Sequence, residues 1–180
     1  DVVGYTGDDG SNRAVAHGLG VIPELIMVKN EDASTDWACW SAGLSGTQYY
    51  IRPNGTQAEY NQTTGVFGTS AATATNFYVD DTGNTQITND NGDGYIAYLF
   101  ATLAGVSKVG SYTADATLTT IDCGFSAGAR FILIKRTDAT GDWYVYDSGR
   151  GIVAGNDPYL LLNSDAAEAT GTDYIDPDNS

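Results

Sequence analysis

The sequence is poor in the residues on which most catalytic sites depend. Its 180 residues include one histidine, His17, and two cysteines, Cys39 and Cys123. Two cysteines are too few for a disulfide scaffold. Both stand among apolar or strand-forming neighbours, which favours buried free thiols over a disulfide. A Ser-His-Asp or Cys-His site would need a nucleophile in a recognisable setting for His17, and none is found. A turn or capping role before Gly18 is the simpler interpretation.

Positive charge and long apolar runs are also scarce. Eight Lys and Arg residues stand against 23 Asp and Glu residues, so the formal net charge is −15. A surface of this sign repels phosphate backbones and anionic lipid, which makes nucleic acid and membranes poor partners. The apolar runs are far shorter than the roughly 20 residues that span a bilayer. The acidic residues are scattered, which indicates a solvated acidic surface.

The sequence is rich instead in turn-forming and strand-forming residues. It contains 22 Gly and 12 Tyr, with many Thr, Ser, Asn, Asp, Val and Ile. Lys, Glu and Leu, which favour helices, are few. This composition is typical of short strands joined by many turns. We therefore predict an all-β chain with little helix.

A long segment of the sequence is repeated within the chain. Residues 24–37 match residues 130–143 at an offset of 106, and residues 54–59 match residues 163–168 at an offset of 109. The identical pairs are Ile26/Ile132, Lys29/Lys135, Asp32/Asp138, Ala33/Ala139, Asp36/Asp142, Trp37/Trp143, Asn54/Asn163, Ala58/Ala167 and Glu59/Glu168. Two upstream blocks also correspond: "GYT" of the first copy to "SYT" of the second, and "HGLG" to "CGFS". Four blocks in the same order indicate a tandem duplication, with a small insertion within "GRGIVAGND".

The spacing of apolar stretches predicts two tandem, homologous β-sandwich units of jelly-roll-like type. Their bounds are residues 1–103 (the first copy) and 104–180 (the second copy). In the first copy the strands are expected near 2–7, 24–29, 37–41, 48–52, 77–79 and 94–101. In the second copy they are expected at 109–113, 130–136, 143–147 and 159–163.

The second unit is expected to be incomplete at its C-terminus. After Glu168 nothing corresponds to the strands near Phe77–Val79 and Gly94–Ala101. Apolar groups such as Leu160 and Leu162, or an unpaired strand edge, would then be exposed, and such edges recruit other chains. We expect either a longer natural polypeptide with a "GYIAYLF"-like strand, which we favour, or another subunit that covers the gap.

Two acidic features invite a functional interpretation. The stretch "NDNGDG", residues 89–94, offers the first half of an EF-hand loop, but the position of the bidentate glutamate falls on Phe100. A hairpin turn explains these residues better, and a weak calcium site is the alternative. The acids that recur between the copies are interpreted as turn-binding side chains rather than as a glycosidase pair. We therefore predict no catalytic residues, no metal and no cofactor.

Aromatic residues of the repeated hairpin are the best candidates for binding. In "WACWS" and "WYVYD", strand alternation places Trp37 and Trp143 on one face and Trp40, Tyr144 and Tyr146 on the other. We expect the repeated tryptophan in the core. Three interpretations of the other face stay open: stacking on sugar rings, packing against a neighbouring chain, or a second packed face of the strand.

The recurring blocks resemble a known family. "YTG…HGLGVIPELIMVKN…W" and "GFSAGARFILIKRTDATGDWYVYDSGRG…YLLLNSDAAE" are similar to a tandem β-repeat domain of bacteriophage tail and tail-fibre proteins, common in marine and cyanobacterial phages. The family's Asp-Ser-x-Arg-Gly block matches Asp147 to Gly151, where the first copy reads "SAGLSG". Any role of Asp147 and Arg150 would therefore belong to the second copy alone. The family's proline is Pro23 in the first copy and Ala129 in the second.

The resemblance implies a structural, non-enzymatic virion protein, such as a tail-fibre or receptor-binding module of the extracellular particle. Its expected partners are copies of itself, as a homotrimer, other virion proteins and host cell-surface polysaccharide. A carbohydrate-active or free carbohydrate-binding protein is the alternative from another class. A capsid decoration protein or an extracellular fibre subunit is the alternative within the structural class. The residues expected to bind a ligand or partner are Trp40, Tyr144, Tyr146, Asp147 and Arg150.

Overall fold

The chain is all-β, as the composition predicts. The computed structural model describes residues 1–63, 65–83 and 85–177, and these form strands without any helix. In that part of the chain, no helical segment has the length and apolarity that crossing a membrane requires. The strands are β1 (Val2–Thr6), β2 (Arg13–Ala16), β3 (Leu25–Asn30), β4 (Ala38–Ser41), β5 (Tyr49–Tyr50), β6 (Tyr60–Asn61), β7 (Asn76–Val79), β8 (Gly94–Phe100), β9 (Phe131–Lys135), β10 (Trp143–Asp147) and β11 (Leu160–Leu161).

The first copy is built on a four-stranded antiparallel sheet in the order β1-β8-β3-β4. Strand β3 lies inside this sheet, with β8 along one edge and β4 along the other. Strands β2 and β7 form a second pair, and β5 and β6 a third. Alternate residues of β3, β7 and β8 are buried, which is the period of a strand with one face on the core. The core residues are Val15, Ile26, Val28, Ala38, Tyr50, Val66, Phe67, Phe77, Val79, Ile87, Tyr95, Ala97 and Leu99.

The second copy forms a three-stranded antiparallel sheet in the order β11-β10-β9. Its strand pairs repeat those of the first copy at the offsets of the sequence repeat. Met27 lies opposite Cys39 in the first copy, and Leu133 lies opposite Val145 in the second. After the insertion, Tyr50 pairs with Tyr60, and Tyr159 pairs with Ala169. That each copy forms a β-sandwich stays a prediction.

Two expectations about local structure are wrong. Residues 109–113 do not form a strand. Their counterpart β1 pairs only with β8, and the described part of the second copy contains no equivalent of β8 for them to pair with. The stretch "NDNGDG" is not a hairpin turn, because β8 pairs with β1 and β3 whereas β7 pairs with β2. It folds against the end of β1 instead: Gly7 N donates to Asp93 O at 2.8 Å, and Asp9 N donates to Asn89 O at 2.9 Å.

The two copies pack against each other around Trp143. This side chain is 3% exposed and lies in a cluster with Cys39 and Ile51 of the first copy. Its Nε1 donates a hydrogen bond to Arg52 O at 2.9 Å. Backbone hydrogen bonds add to the contact, since Gly141 N donates to Thr56 O at 2.8 Å and Glu59 N donates to Thr137 O at 2.7 Å. The repeated tryptophan is thus a core residue in the second copy, whereas Trp37 is only half-buried.

Candidate binding surface of the second copy

Both copies use the same asparagine to hold the start of the returning hairpin strand. Asn54 Oδ1 accepts a hydrogen bond from Trp37 N at 3.0 Å, and Asn163 Oδ1 accepts one from Trp143 N at 2.8 Å. In each copy the asparagine Nδ2 donates to Oδ1 of the aspartate before the tryptophan, at 2.8 Å. This recurrence of Asn, Asp and Trp is explained by backbone positioning, since Asn and Asp readily bind nearby backbone groups.

Four tyrosines of the second copy lie together on the side of β10 opposite Trp143. We call Tyr144, Tyr146, Tyr159 and Tyr174 the tyrosine cluster. The rings of Tyr144 and Tyr159 meet edge to face at 5.2 Å, and those of Tyr144 and Tyr174 at 6.0 Å. Tyr146 and Tyr159 lie 5.7 Å apart, and Tyr159 and Tyr174 lie 5.9 Å apart. These distances are those of favourable aromatic pairs.

Exposure differs across the tyrosine cluster. Tyr146 is 1% exposed, so its ring is buried beneath the other rings, whereas Tyr174 is 60% exposed at the protein surface. Tyr144 and Tyr159 are half-buried. Burial is the main cause that raises the pKa of Tyr144 and of Tyr146, and the neighbouring tyrosines raise it further. Tyr144 and Tyr146 are therefore neutral near pH 7, and the tyrosine cluster presents an aromatic surface on an acidic molecule.

The tyrosine cluster lies on the counterpart of the first copy's core face. In the first copy Ile26, Val28, Ala38 and Tyr50 on this face are between 0% and 3% exposed, and Trp40 is half-buried. Their counterparts Ile132, Ile134, Tyr144 and Tyr159 are only half-buried. The first copy's face is joined in one core cluster by Val66, Phe67, Phe77 and Val79, which come from the segment after Glu59. The described residues after Glu168 supply no such layer, so this face of the second copy stays partly open.

Asp147 and Arg150 belong to a network that holds one turn. Asp147 Oδ1 accepts hydrogen bonds from Gly149 N at 2.9 Å and Arg150 N at 3.0 Å. The Arg150 guanidinium pairs with Asp147 and, at 3.1 Å, with Glu168 Oε2. The hydrogen bond from the Arg150 amide is the main cause that lowers the pKa of Asp147, and the guanidinium adds to it. The network connects the end of β10 to the segment after β11.

Glu59 has the corresponding position in the first copy. Its carboxylate accepts hydrogen bonds from Ser45 N, at 3.0 Å, and from the Ser45 hydroxyl. The glutamate of each copy therefore binds the loop after the hairpin, although the partner differs. A contact that ties a loop in both copies needs no ligand to explain it.

Trp40 lies apart from the tyrosine cluster in the described contacts. It packs against the core of the first copy, and its Nε1 donates to Gly46 O at 3.1 Å. The five residues expected to bind are thus divided between the two copies. Tyr144 and Tyr146 share one surface, Asp147 and Arg150 share a turn, and Trp40 belongs to another core.

His17 and the acidic loop next to β8 have structural partners. His17 Nδ1 accepts a hydrogen bond from Leu19 N at 3.2 Å, which fits the expected role in a turn. Asp9, Asp81 and Asp90 place one carboxylate oxygen each within 4.8 Å of one another, a donor set that suits a hard cation. Asp81 Oδ1 also accepts hydrogen bonds from Thr85 N at 2.7 Å and Gln86 N at 3.1 Å. These bonds explain the position of Asp81 through the loop itself.

Sequence reasoning missed two members of the tyrosine cluster. Tyr159 was detectable, because the offset of 109 places it on Tyr50, which is a buried core residue. Tyr174 has no counterpart in the repeated blocks, and only folding of the segment after β11 brings its ring against Tyr144 and Tyr159.

Comparison with known proteins places the chain in a family without assigning an activity. No curated protein and no solved structure matches it. A family model matches residues 1–177, nearly the whole chain, and the protein therefore belongs to the family described as "Domain of unknown function (DUF7483)".

Proposed function

We propose that this chain is a structural, non-enzymatic subunit of a bacteriophage virion, in a tail fibre or receptor-binding part, and that its second copy binds neighbouring protein chains. The virion assignment rests on the resemblance of the repeated blocks to phage tail proteins. The observation that supports a binding role is the difference between the copies: one core face is covered, and its counterpart is partly open.

The exposed apolar side chains of the second copy fit a protein partner. Its exposed large hydrophobic residues include Phe131 at 61%, Val153 at 49%, Leu162 at 48% and Tyr174 at 60%. Covering a large apolar side chain contributes roughly 1.5–3 kcal/mol. Tyrosine is also enriched where protein interfaces carry most of their binding energy. A neighbouring subunit, as in the trimer expected of a fibre, is a partner with these properties.

The first experiment asks whether the chain is part of a particle. Quantitative mass spectrometry of gradient-purified phage particles should find several copies at a constant ratio to the major capsid protein. In parallel, the purified chain should release no new reducing ends from host polysaccharide. A chain absent from particles would contradict the proposal. Release of reducing ends that is lost on changing one carboxylate would identify the carbohydrate-active alternative.

A matched pair of variants asks whether the tyrosine cluster is the contact surface. Tyr174→Ala removes an exposed ring of the cluster, and Tyr112→Ala removes a ring that is 51% exposed outside it. Sedimentation analysis should show that Tyr174→Ala raises the dissociation constant of the assembly at least about tenfold, as for an interface hot spot. Tyr112→Ala should leave it unchanged. Equal effects of both variants, or binding of host glycan that depends on Tyr174, would place the subunit contact elsewhere.

A further inference from the structure

Strand β9 has a free edge where its counterpart has a neighbour. In the first copy, β3 is paired on both sides, with β4 and with β8. In the second copy, β9 pairs with β10, and the described residues provide no strand that pairs with its other edge. Phe131, at the start of β9, is 61% exposed. Free edges of this kind are templates for another strand.

The hydrogen-bond pattern identifies the backbone groups on the free edge. Ser148 N donates to Arg130 O at 2.9 Å, and Phe131 lies opposite Asp147, so the groups of Arg130 are directed towards β10. Backbone groups alternate in direction along an antiparallel strand. The groups of Ile132 and Ile134 therefore also face β10. Those of Phe131, Leu133 and Lys135 face the free edge.

From this geometry we infer that the free edge of β9 is an acceptor site for an antiparallel strand with the alternating pattern of β8, donated by a neighbouring polypeptide. The register follows from the first copy. There Leu25 lies opposite Phe100, and Lys29 lies opposite Ile96. At the repeat offset, Phe131 and Lys135 take the places of Leu25 and Lys29. The donated strand would extend the three-stranded sheet in the same way that β8 extends β3.

The acceptor also defines the side chains that the donor strand needs. In the first copy, Leu99 and Ala97 lie opposite Ile26 and Val28 and complete the buried face. The second copy has Ile132 and Ile134 at those places, both half-buried. The donor therefore carries a large apolar residue opposite Ile132. Opposite Ile134 it carries a small one, because isoleucine there is larger than the valine of the first copy.

This inference rests on the proposed assembly role only for the source of the strand. The acceptor edge itself is tested with a synthetic peptide, so peptide binding can be absent even if the chain is found in particles. The converse failure, a chain that binds the peptide but is absent from particles, is equally distinguishable.

The experiment measures amide hydrogen exchange of the full chain with and without a peptide of the sequence of residues 93–101. The amides of Phe131, Leu133 and Lys135 should exchange rapidly in the free protein and slowly in the complex. At a peptide concentration about 100 times the dissociation constant, protection of these amides should rise about 100-fold. The amides of Ile132 and Ile134 face β10, should be protected in both states, and serve as internal controls.

Backbone N-methylation of the peptide provides a matched control. In β8, Gly94 O accepts from Glu31 N, whereas Asp93 O accepts from Gly7 N. The groups of Ile96 and Tyr98 therefore face β3, and those of Tyr95 and Ala97 face β1. A peptide methylated at Ile96 and Tyr98 should lose binding, and one methylated at Tyr95 and Ala97 should keep it.

Several results would overturn the inference. The first is that no peptide protects the three outward amides. The second is that the two methylated peptides bind equally well, and the third is that the peptide protects the amide of Ile132 alone. Outward amides already protected in a dimer of the free chain would assign the edge to a second copy instead. The variant Phe131→Pro supplies a further check, because it removes an outward donor at the first residue of a strand, where proline is tolerated. It should weaken peptide binding at least about tenfold, the loss expected for one net hydrogen bond of about 1.4 kcal/mol, and leave the far-UV circular dichroism unchanged.

Discussion

Trp143 connects the two copies, and its removal should destabilise the chain more than removal of its counterpart Trp37. The ring of Trp143 is 3% exposed among Cys39 and Ile51 of the first copy, and its Nε1 donates to Arg52 O at 2.9 Å. Truncation of a buried tryptophan to alanine costs about 3–5 kcal/mol, because packing contacts are lost and a cavity remains. We expect a loss of this size in the free energy of unfolding of Trp143→Ala.

A second substitution separates packing from hydrogen bonding at this site. Trp143→Phe keeps most of the apolar ring but removes the donor to the Arg52 carbonyl. Leaving one buried acceptor unpaired and losing part of the ring should cost about 1–3 kcal/mol. The measurement is urea unfolding followed by circular dichroism, with the slope of the transition compared between variants. If Trp143 couples the copies, Trp143→Ala should also broaden the transition or divide it into two.

Trp37→Ala is the matched control. Trp37 is half-buried, and its ring lies 6.2 Å from that of Tyr98 at an angle of 31°. Because less of the ring is covered, we expect a loss of about 1–2 kcal/mol. A Trp37→Ala variant as unstable as Trp143→Ala, or a Trp143→Ala variant that unfolds like the wild type, would refute a central role of Trp143 between the copies.

Three further predictions follow from the described contacts. Asn163→Ala should lower the free energy of unfolding by about 1–3 kcal/mol, because it leaves the Trp143 amide without its acceptor. Asn54→Ala should lower it less, because Asn54 is exposed, and thermal denaturation of the two variants tests the difference. Burial acts to raise the pKa of Asp80, but the hydrogen bonds that its carboxylate accepts from the loop outweigh burial and lower the pKa. The contribution of Asp80 to the free energy of unfolding is therefore complete above the unfolded pKa of about 3.9, and it is lost as the pH falls through the lower folded pKa. Asp80→Asn should therefore reduce stability at pH 7 and flatten its decline below about pH 4, and an unchanged acid-unfolding curve would contradict this. Burial raises the pKa of the Cys39 thiol, so a thiol reagent at pH 8 should modify half-buried Cys123 first and reach Cys39 only after denaturation, as counted by mass spectrometry.

The duplication explains why some acidic residues recur without forming a site. Asp32 Oδ2 accepts a hydrogen bond from Gly94 N at 2.6 Å, whereas its counterpart Asp138 pairs with Arg136. Glu59 binds Ser45 N, and its counterpart Glu168 binds Arg150. The residue types persist, but their partners have changed between the copies. A change of partner is expected where a carboxylate only stabilises a loop, since several hydrogen-bond donors or cationic side chains can bind the carboxylate equally well.

Local sequence patterns predicted the strands of the repeated hairpin in both copies, but they missed the paired strands β2 and β6. The apolar stretch at β3 and its counterpart at β9 alternate along the strand, and the offsets of 106 and 109 predict the same pairing in both copies. The same reasoning predicted a strand at 109–113, where the structure has none. A strand needs hydrogen bonds from a neighbour as well as a suitable sequence. β1 has β8 beside it, and residues 109–113 do not.

What the sequence alone determined is therefore the class of fold, the duplication and the strands of each hairpin, because composition, periodicity and repeat spacing are local properties. Which residues form a surface was decided only by the tertiary structure. Tyr144 and Tyr174 are far apart in sequence and meet at 6.0 Å. Whether Tyr144 is core or surface depends on a covering layer, which the first copy has over Ala38 and which the described part of the second copy lacks. Burial is a property of that whole arrangement, and no local pattern contains it.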